Sequence, residues 1–237
     1  MSIAENIAAL RRRMDEAARA AGRDPKSILL CAATKMNDSD AVRQAIAAGV
    51  DCCGENRVQE LTEKLAQHAY DGAPVHFIGH LQTNKVKQVV GKVSLIQSVD
   101  SLHLLQAIDQ EARRQGIVQD ILLEVNIAQE ESKSGFSAGD IPGISEHMGE
   151  YSGVRLRGFM AIPPISEKKG DNSEYFQKIL QLSVDIQGKK YDNVCVDLLS
   201  MGMSGDFEDA IAAGSNMIRL GTAIFGARNY NNKPHQS

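Results

Sequence analysis

The side chain with the most chemistry to offer is Lys35, which directly follows the apolar run ILLCAAT, Ile28 to Thr34. Removing water from around an amine lowers its pKa and leaves it nucleophilic enough to form an imine with a carbonyl compound. A solvated lysine at the end of a strand is the alternative on the same residues. A second pattern is Ser200-Met201-Gly202-Met203-Ser204 together with Gly221-Thr222. Glycine admits backbone N–H groups close to an anion and a hydroxyl adds a rotatable donor, so both segments suit a phosphate monoester. A helix beginning after Ser204 adds its positive end. Tight turns that need Gly202, Gly205 and Gly221 for their backbone alone explain the spacing as well. Arg219 adds a fixed cation beside Gly221, and Gly54-Glu55-Asn56 closes another apolar run.

Other chemistries lack support. Cys31, Cys52, Cys53 and Cys195 sit in apolar stretches without paired C-x₂-C spacing and read as buried free thiols of a reducing compartment. The histidines include no H-E-x-x-H, and His76 with His80 flank a strand-like segment, so no metal site is expected. A net charge of −4 and 5% aromatic residues offer neither a positive field nor stacking platforms, which argues against a nucleic-acid partner. No apolar run approaches the roughly 20 residues of a bilayer span, and Met1 to Leu10 has no signal-peptide core. The reading is a cytoplasmic protein with no membrane partner.

The elements that must position these residues follow from periodicity. Ile3, Ile7, Leu10, Met14, Ala17, Ala18 and Ala21 recur at helical spacing, with Gly22 and Pro25 as stop signals. Strand-length apolar runs follow at Ile28 to Thr34, Val50 to Cys53, Val75 to Ile78, Leu95 to Val99, Ile121 to Ile127, Leu156 to Ile162, Val194 to Leu199 and Met217 to Leu220. Helical patterns lie between them at Ala41 to Ala48, Asn84 to Val90, Leu102 to Gln115, Ile141 to Glu150, Phe176 to Ile186 and Phe207 to Ala213. Near-continuous apolar strands alternating with helices imply parallel pairing. Eight such units predict a single α/β domain over residues 1–237, a closed β/α (TIM-like) barrel with an extra N-terminal helix over strands eight and one. The polar tail NYNNKPHQS is too short for a further helix of normal length. Active sites of such barrels lie at the C-terminal ends of the strands, with phosphate often in the loops after strands seven and eight. Strand eight then lies beside strand one, so Lys35 and Arg219 are expected to face one another across one mouth.

The segments AATK (Ala32 to Lys35), GENRVQE (Gly54 to Glu60), HFIGHLQTNK (His76 to Lys85), SKSGF (Ser132 to Phe136), GFMAIPP (Gly158 to Pro164) and LSMGMSGDFEDAIAAGSNMIRLGTAIFGAR (Leu199 to Arg228) closely resemble the pyridoxal-phosphate homeostasis proteins. That family is a single-domain relative of the alanine racemase N-terminal barrel, the fold-type III arrangement. The resemblance implies pyridoxal 5'-phosphate (PLP) as cofactor, held as a Schiff base on Lys35. It implies Arg219 at the pyridine nitrogen, and Gly221, Thr222 and Ser200 at the phosphate; Asn56 lies at the same mouth. It further implies a part in vitamin B6 and amino-acid homeostasis; the chain is read as a monomer, with PLP-dependent apo-enzymes as partners.

A carrier fits better than an enzyme. An acidic partner keeps the pyridine nitrogen protonated and the ring a strong electron sink, whereas a guanidinium can only donate and leaves the sink weak. In the racemases that the barrel resembles, a tyrosine from a second domain of the partner subunit supplies the second base. This chain carries no such domain, and nothing places Tyr70, Tyr151, Tyr175, Tyr191 or Tyr230 over the cofactor. The alternatives are a weak PLP-dependent racemase or lyase, and a barrel for another phosphorylated metabolite without an imine.

Overall fold

Every apolar run identified above forms a strand, and the strands close on themselves. The computed structural model describes residues 1–130, 133–164 and 170–226. Strands β1 (Leu29–Ala33), β2 (Cys52–Glu55), β3 (Val75–Phe77), β4 (Leu95–Val99), β5 (Gln119–Val125), β6 (Val154–Ala161), β7 (Val194–Ser200) and β8 (Met217–Leu220) pair in parallel in chain order, and β8 returns to β1. Alternate strand residues face opposite sides, which splits the apolar side chains into two sets. Cys31, Cys52, Leu95, Leu122, Met160 and Met217 fill the barrel interior, while Leu30, Ala32, Phe77, Ile96 and Leu123 join the larger core under the helices. Both faces are therefore apolar, which is why the strands read as continuous runs.

The N-terminal helix α1 (Ile3–Ala20) starts with a reciprocal cap between Ser2 and Glu5 and buries Ile7, Leu10, Met14 and Ala18. Asn6 Nδ2 donates to Ile224 O at 2.8 Å, and Arg23 Nη1 donates to Ile211 O and Ser215 O at 2.7 and 2.6 Å. Arg11 Nη2 reaches Asp51 Oδ2 at 2.6 Å, and that carboxylate oxygen also accepts from Leu30 N. The helix thus covers the seam around β8 and β1, as expected.

The connecting helices are α2 (Ser39–Ala47), α3 (Val58–Ala66), α4 (Leu102–Gln115), α5 (Ile141–Glu146), α6 (Ser173–Lys189), α7 (Phe207–Ala212) and α8 (Thr222–Phe225). Helix α3 escaped the periodicity reading because Arg57, at its start, makes no side-chain cap. The pattern Asn84 to Val90 yields only a 3₁₀ turn over Thr83–Gln88, and Ile141 to Glu150 divides into α5 and a 3₁₀ turn at Met148–Glu150. Strand β2 runs two residues further than expected and includes Gly54. A Cβ there would stand 2.7 Å from Ile78 Cδ1 and 3.0 Å from Cys31 Sγ, so the glycine serves close packing inside the barrel, not a turn. No helix among the described residues is long and apolar enough to cross a membrane. Ser132, Arg228, Tyr230 and the tail 229–237 lie outside the described residues.

Candidate functional site

Lys35 stands two residues beyond the end of β1, in a turn gripped from both sides. Before it, Thr34 N donates to Gly54 O at 2.9 Å, extending the pairing with β2. After it, Met36 takes a left-handed backbone (φ 61°) and its N–H donates to Glu60 Oε2 at 2.6 Å. Behind the turn, Oε1 of the fully buried Glu55 accepts from Thr34 Oγ1 (2.6 Å), Lys64 Nζ (2.5 Å) and Tyr70 Oη (3.0 Å). Lys64 Nζ also donates to Thr34 O at 2.8 Å and lies 3.6 Å from Glu60 Oε2. One buried ammonium therefore ties together the residue before Lys35 and the carboxylate that holds the residue after it. Burial, with Glu55 alongside, pushes the Tyr70 phenol far above its ordinary pKa, so it stays a neutral donor.

Arg219 lies deeper. In the β1–β8 register it pairs with Cys31, four residues before Lys35, so the guanidinium sits below the lysine turn instead of level with it. Arg219 is 6% exposed. Its Nη1 donates to Ser200 O and Ser200 Oγ, both at 2.6 Å, and Nη2 to Ala161 O at 3.0 Å. Burial draws its pKa down, while Cys31, Glu124 and Asp206 act the other way. Ser200 is fully buried, and its hydroxyl donates to Gln97 Oε1 at 2.6 Å. The structure thus seats Ser200, buried, against the guanidinium, whereas Thr222 is exposed. Gly221 adjoins the end of β1: a Cβ there would lie 3.4 Å from both Cβ and O of Ala33.

The loop after β7 shows which reading of its glycines applies. Gly202 has φ +94°, and a Cβ would come 2.7 Å from Ala210 Cβ, so backbone conformation and packing on α7 both demand glycine. The start of α7 is met by the chain's own acids: Glu208 and Asp209 occupy its first turn, and Asp206 Oδ1 accepts from Met203 N at 2.7 Å. Asp206, at the cap position, makes no side-chain hydrogen bond to the helix itself.

Asn56, at the end of β2, has a buried Oδ1 with no hydrogen-bond partner. It borders a cavity of about 230 Å³ shared with Ile78, His80, Glu124, Asn126 and Lys133. Sequence spacing did not reveal three further features. Gln97 connects Ser200 to His76 Nδ1, 2.9 Å away. Cys31, Cys52 and His76 come within 4.8 Å of one another inside the barrel; hydrogen bonding from Cys52 brings the Cys31 thiol down to about 6. His80 Nδ1 lies 2.8 Å from Asp100 Oδ2 at the mouth. The first two groups join residues on different strands, and the third joins residues that follow neighbouring strands.

The family described as "Alanine racemase, N-terminal domain" matches residues 3–229. The chain is 40% identical over 230 residues to the pyridoxal phosphate homeostasis protein of Pseudomonas aeruginosa, covering 97% of each. Among solved structures, PipY of Synechococcus elongatus with PLP bound superposes with a TM-score of 0.79 at 30% identity, over 95% of this chain and all of that one. The alanine racemase of Clostridium difficile matches 96% of this chain but 58% of its own, with a TM-score of 0.66 at 16% identity, a likeness of fold alone. Near-complete mutual coverage at these identities, on a closed parallel barrel, means that the chain belongs to the family of pyridoxal phosphate homeostasis proteins.

Proposed function

We propose that this chain binds PLP at the C-terminal mouth of its barrel and acts as an intracellular carrier in vitamin B6 homeostasis, not as a metabolic enzyme. The observation that carries the reading is the buried guanidinium of Arg219, oriented by Ser200 and Ala161 beneath the Lys35 turn. Relatives named for PLP homeostasis and the PLP-bound PipY support it. The residues present fit the group. Gly221 keeps clear a space beside Ala33 that a Cβ would fill, and Asn56 holds out a buried oxygen without a donor.

The cofactor supplies an aldehyde and a ring that withdraws electrons when its nitrogen is protonated. Lys35 would hold the aldehyde carbon through its Nζ, as a Schiff base. Arg219 has N–H groups beyond those spent on Ser200 and Ala161, and we assign one to the ring nitrogen. Because it can only donate, that nitrogen stays unprotonated and the ring a poor sink. Gly221 and Thr222 hold the phosphate; Ser200 acts through Arg219. Residues 1–237 serve as one cytoplasmic, monomeric domain that exchanges its cargo with PLP-dependent apo-enzymes. The second reading, a weak racemase or lyase, draws on the barrel shared with alanine racemase.

The test is an absorption spectrum of the purified protein, followed by borohydride reduction and mass mapping of the adduct. Label on Lys35 is expected. Label on another lysine, or none, removes the assignment, and rapid amino-acid turnover would favour the enzyme reading.

A further inference from the structure

The cavity beside Asn56 gathers groups that the cofactor reading leaves unused. His80 follows β3 and Asp100 follows β4, and their side chains meet with His80 Nδ1 2.8 Å from Asp100 Oδ2. Asp100 is nearly buried, with 9% side-chain exposure, while His80 is open at 62%. A carboxylate on Nδ1 selects the tautomer that carries its proton there and leaves Nε2 as a bare acceptor. The loop that presents His80 is rigidly seated. A Cβ on Gly79 would come 2.3 Å from Asn56 O, and Ser98 Oγ donates to Gly79 O at 2.5 Å. His80 also lines the cavity, with Asn56, Glu124 and Lys133. Glu124 is a desolvated carboxyl whose pKa burial raises, with Asp100 adding to the rise.

Acceptors dominate this wall: the imidazole of His80, the carboxyl of Glu124 and the partnerless Oδ1 of Asn56. Lys133, the cation at the rim, is paired with Glu130 at 2.8 Å. A ligand that matches such a set brings several donors and a positive charge in a small volume, which describes a primary ammonium group. Asn56, assigned above to the cofactor, lines the cavity as well, so the cavity and the cofactor site share a wall.

We propose that this cavity receives the primary amine that displaces Lys35 and carries the cofactor away, with His80 as its general base and Asp100 as the residue that positions His80. The proposal rests on the PLP reading above and deepens it. The incoming ammonium gives one proton to His80 Nε2. Its freed lone pair attacks the carbon held by Lys35, and the two protons left on the incoming nitrogen pass to Lys35 Nζ as the carbon–nitrogen double bond to Lys35 gives way to one with the incoming nitrogen. Lys35 leaves as an amine that takes the first proton back from His80 and ends as an ammonium. Atoms and charge balance without any further reactant. Glu124 holds the ammonium before its proton is removed. Free α-amino acids and lysine side chains of acceptor proteins present the same group.

Two measurements test this. In the first, glycine and a short lysyl peptide are titrated separately into cofactor-free protein while the imidazole resonances of His80 are followed by NMR. Saturable shifts with at least one of them in the wild type, weakened about tenfold or more in Glu124→Gln, are expected; their absence with both amines in the wild type overturns the subsite, whatever becomes of Lys35. In the second, PLP-loaded protein is mixed with the same amines and loss of the protein-bound absorption band is timed. General base catalysis contributes about 10²–10⁴-fold, so His80→Gln should slow transfer at least tenfold and added imidazole should restore part of the rate. Asp100→Asn should slow it with a changed pH profile. Transfer to glycine alone identifies free amino acids as the source, and transfer to the peptide identifies protein lysines. Equal rates in the wild type and His80→Gln overturn the role of His80. A wild-type protein with no reducible adduct on Lys35 instead defeats the underlying PLP reading, and the NMR titration still decides the subsite.

Discussion

Arg219 and Ser200 are joined twice, the same guanidinium nitrogen donating to the carbonyl and to the hydroxyl of the serine at 2.6 Å each. The serine hydroxyl in turn donates a hydrogen bond to Gln97 Oε1, so the arginine is oriented by a chain of buried polar groups. Charge-assisted bonds of this kind fix a guanidinium in one plane. Its orientation is inherited from the neighbouring strand β7 and, at longer range in sequence, from Ala161 on β6 and Gln97 on β4.

Ser200→Ala and Thr222→Ala are expected to behave differently for that reason. Removing a hydrogen bond to a charged group costs about 1.5–3 kcal/mol, roughly ten- to hundredfold in affinity. Thr222→Ala should show this loss in PLP titrations with unchanged denaturant stability, because its hydroxyl is exposed. Ser200→Ala should lose affinity and also about 1–3 kcal/mol of stability, since Gln97 Oε1 is left buried without its donor. Wild-type affinity in both variants would put the phosphate elsewhere.

Arg219→Glu is expected to strengthen the electron sink, because a carboxyl can stabilise a protonated ring nitrogen. Deuterium incorporation at Cα of added amino acids, followed by NMR, should be faster than in the wild type, with Lys35→Ala as the blank. The variant should also be less stable, as Ser200 O and Ala161 O lose their donor. An Arg219→Glu protein that keeps the cofactor with unchanged spectrum and exchange rate would show that Arg219 does not touch the ring nitrogen.

Lys35→Ala should abolish the visible band and leave a folded barrel, checked by circular dichroism and thermal melting. The lysine follows the strand and is partly exposed, so it contributes little to core packing. Retention of the band would transfer the imine to another amine.

Lys64→Met should be the most destabilising of these changes. It leaves the carboxylate of Glu55 buried without its cation, and breaking one side of a buried pair costs about 3–5 kcal/mol. Equilibrium denaturation measures the loss. Under conditions where the variant stays folded, borohydride labelling of Lys35 should be slower, because Thr34 O has lost the donor that braces the turn. An unchanged midpoint would mean that Lys64 does not brace this cluster.

Much of this protein was legible in its sequence. The eight apolar runs, the N-terminal helix and the grouping of Lys35, Asn56, Arg219, Gly221 and Thr222 at strand ends follow from local patterns, since a strand buried on both faces must be apolar throughout. The same patterns mistook Gly54 for part of a loop. A glycine in a strand and a glycine in a turn look alike until the neighbour that crowds it, here Ile78, is known.

Tertiary structure decided which polar groups meet. Glu55, Glu60 and Lys64 carry no mark in the sequence that sets them apart from other charges, yet they close around Lys35. Ser200 reads as a loop hydroxyl and is instead the seat of Arg219, while His80 and Asp100 meet only because β3 and β4 are neighbours. The physical reason is the range of the forces involved. Periodicity records whether a residue faces water or apolar neighbours, a property set locally along the chain. Hydrogen bonds and ion pairs act within about 3–4 Å, and only the closure and register of the barrel bring side chains from distant strands that close.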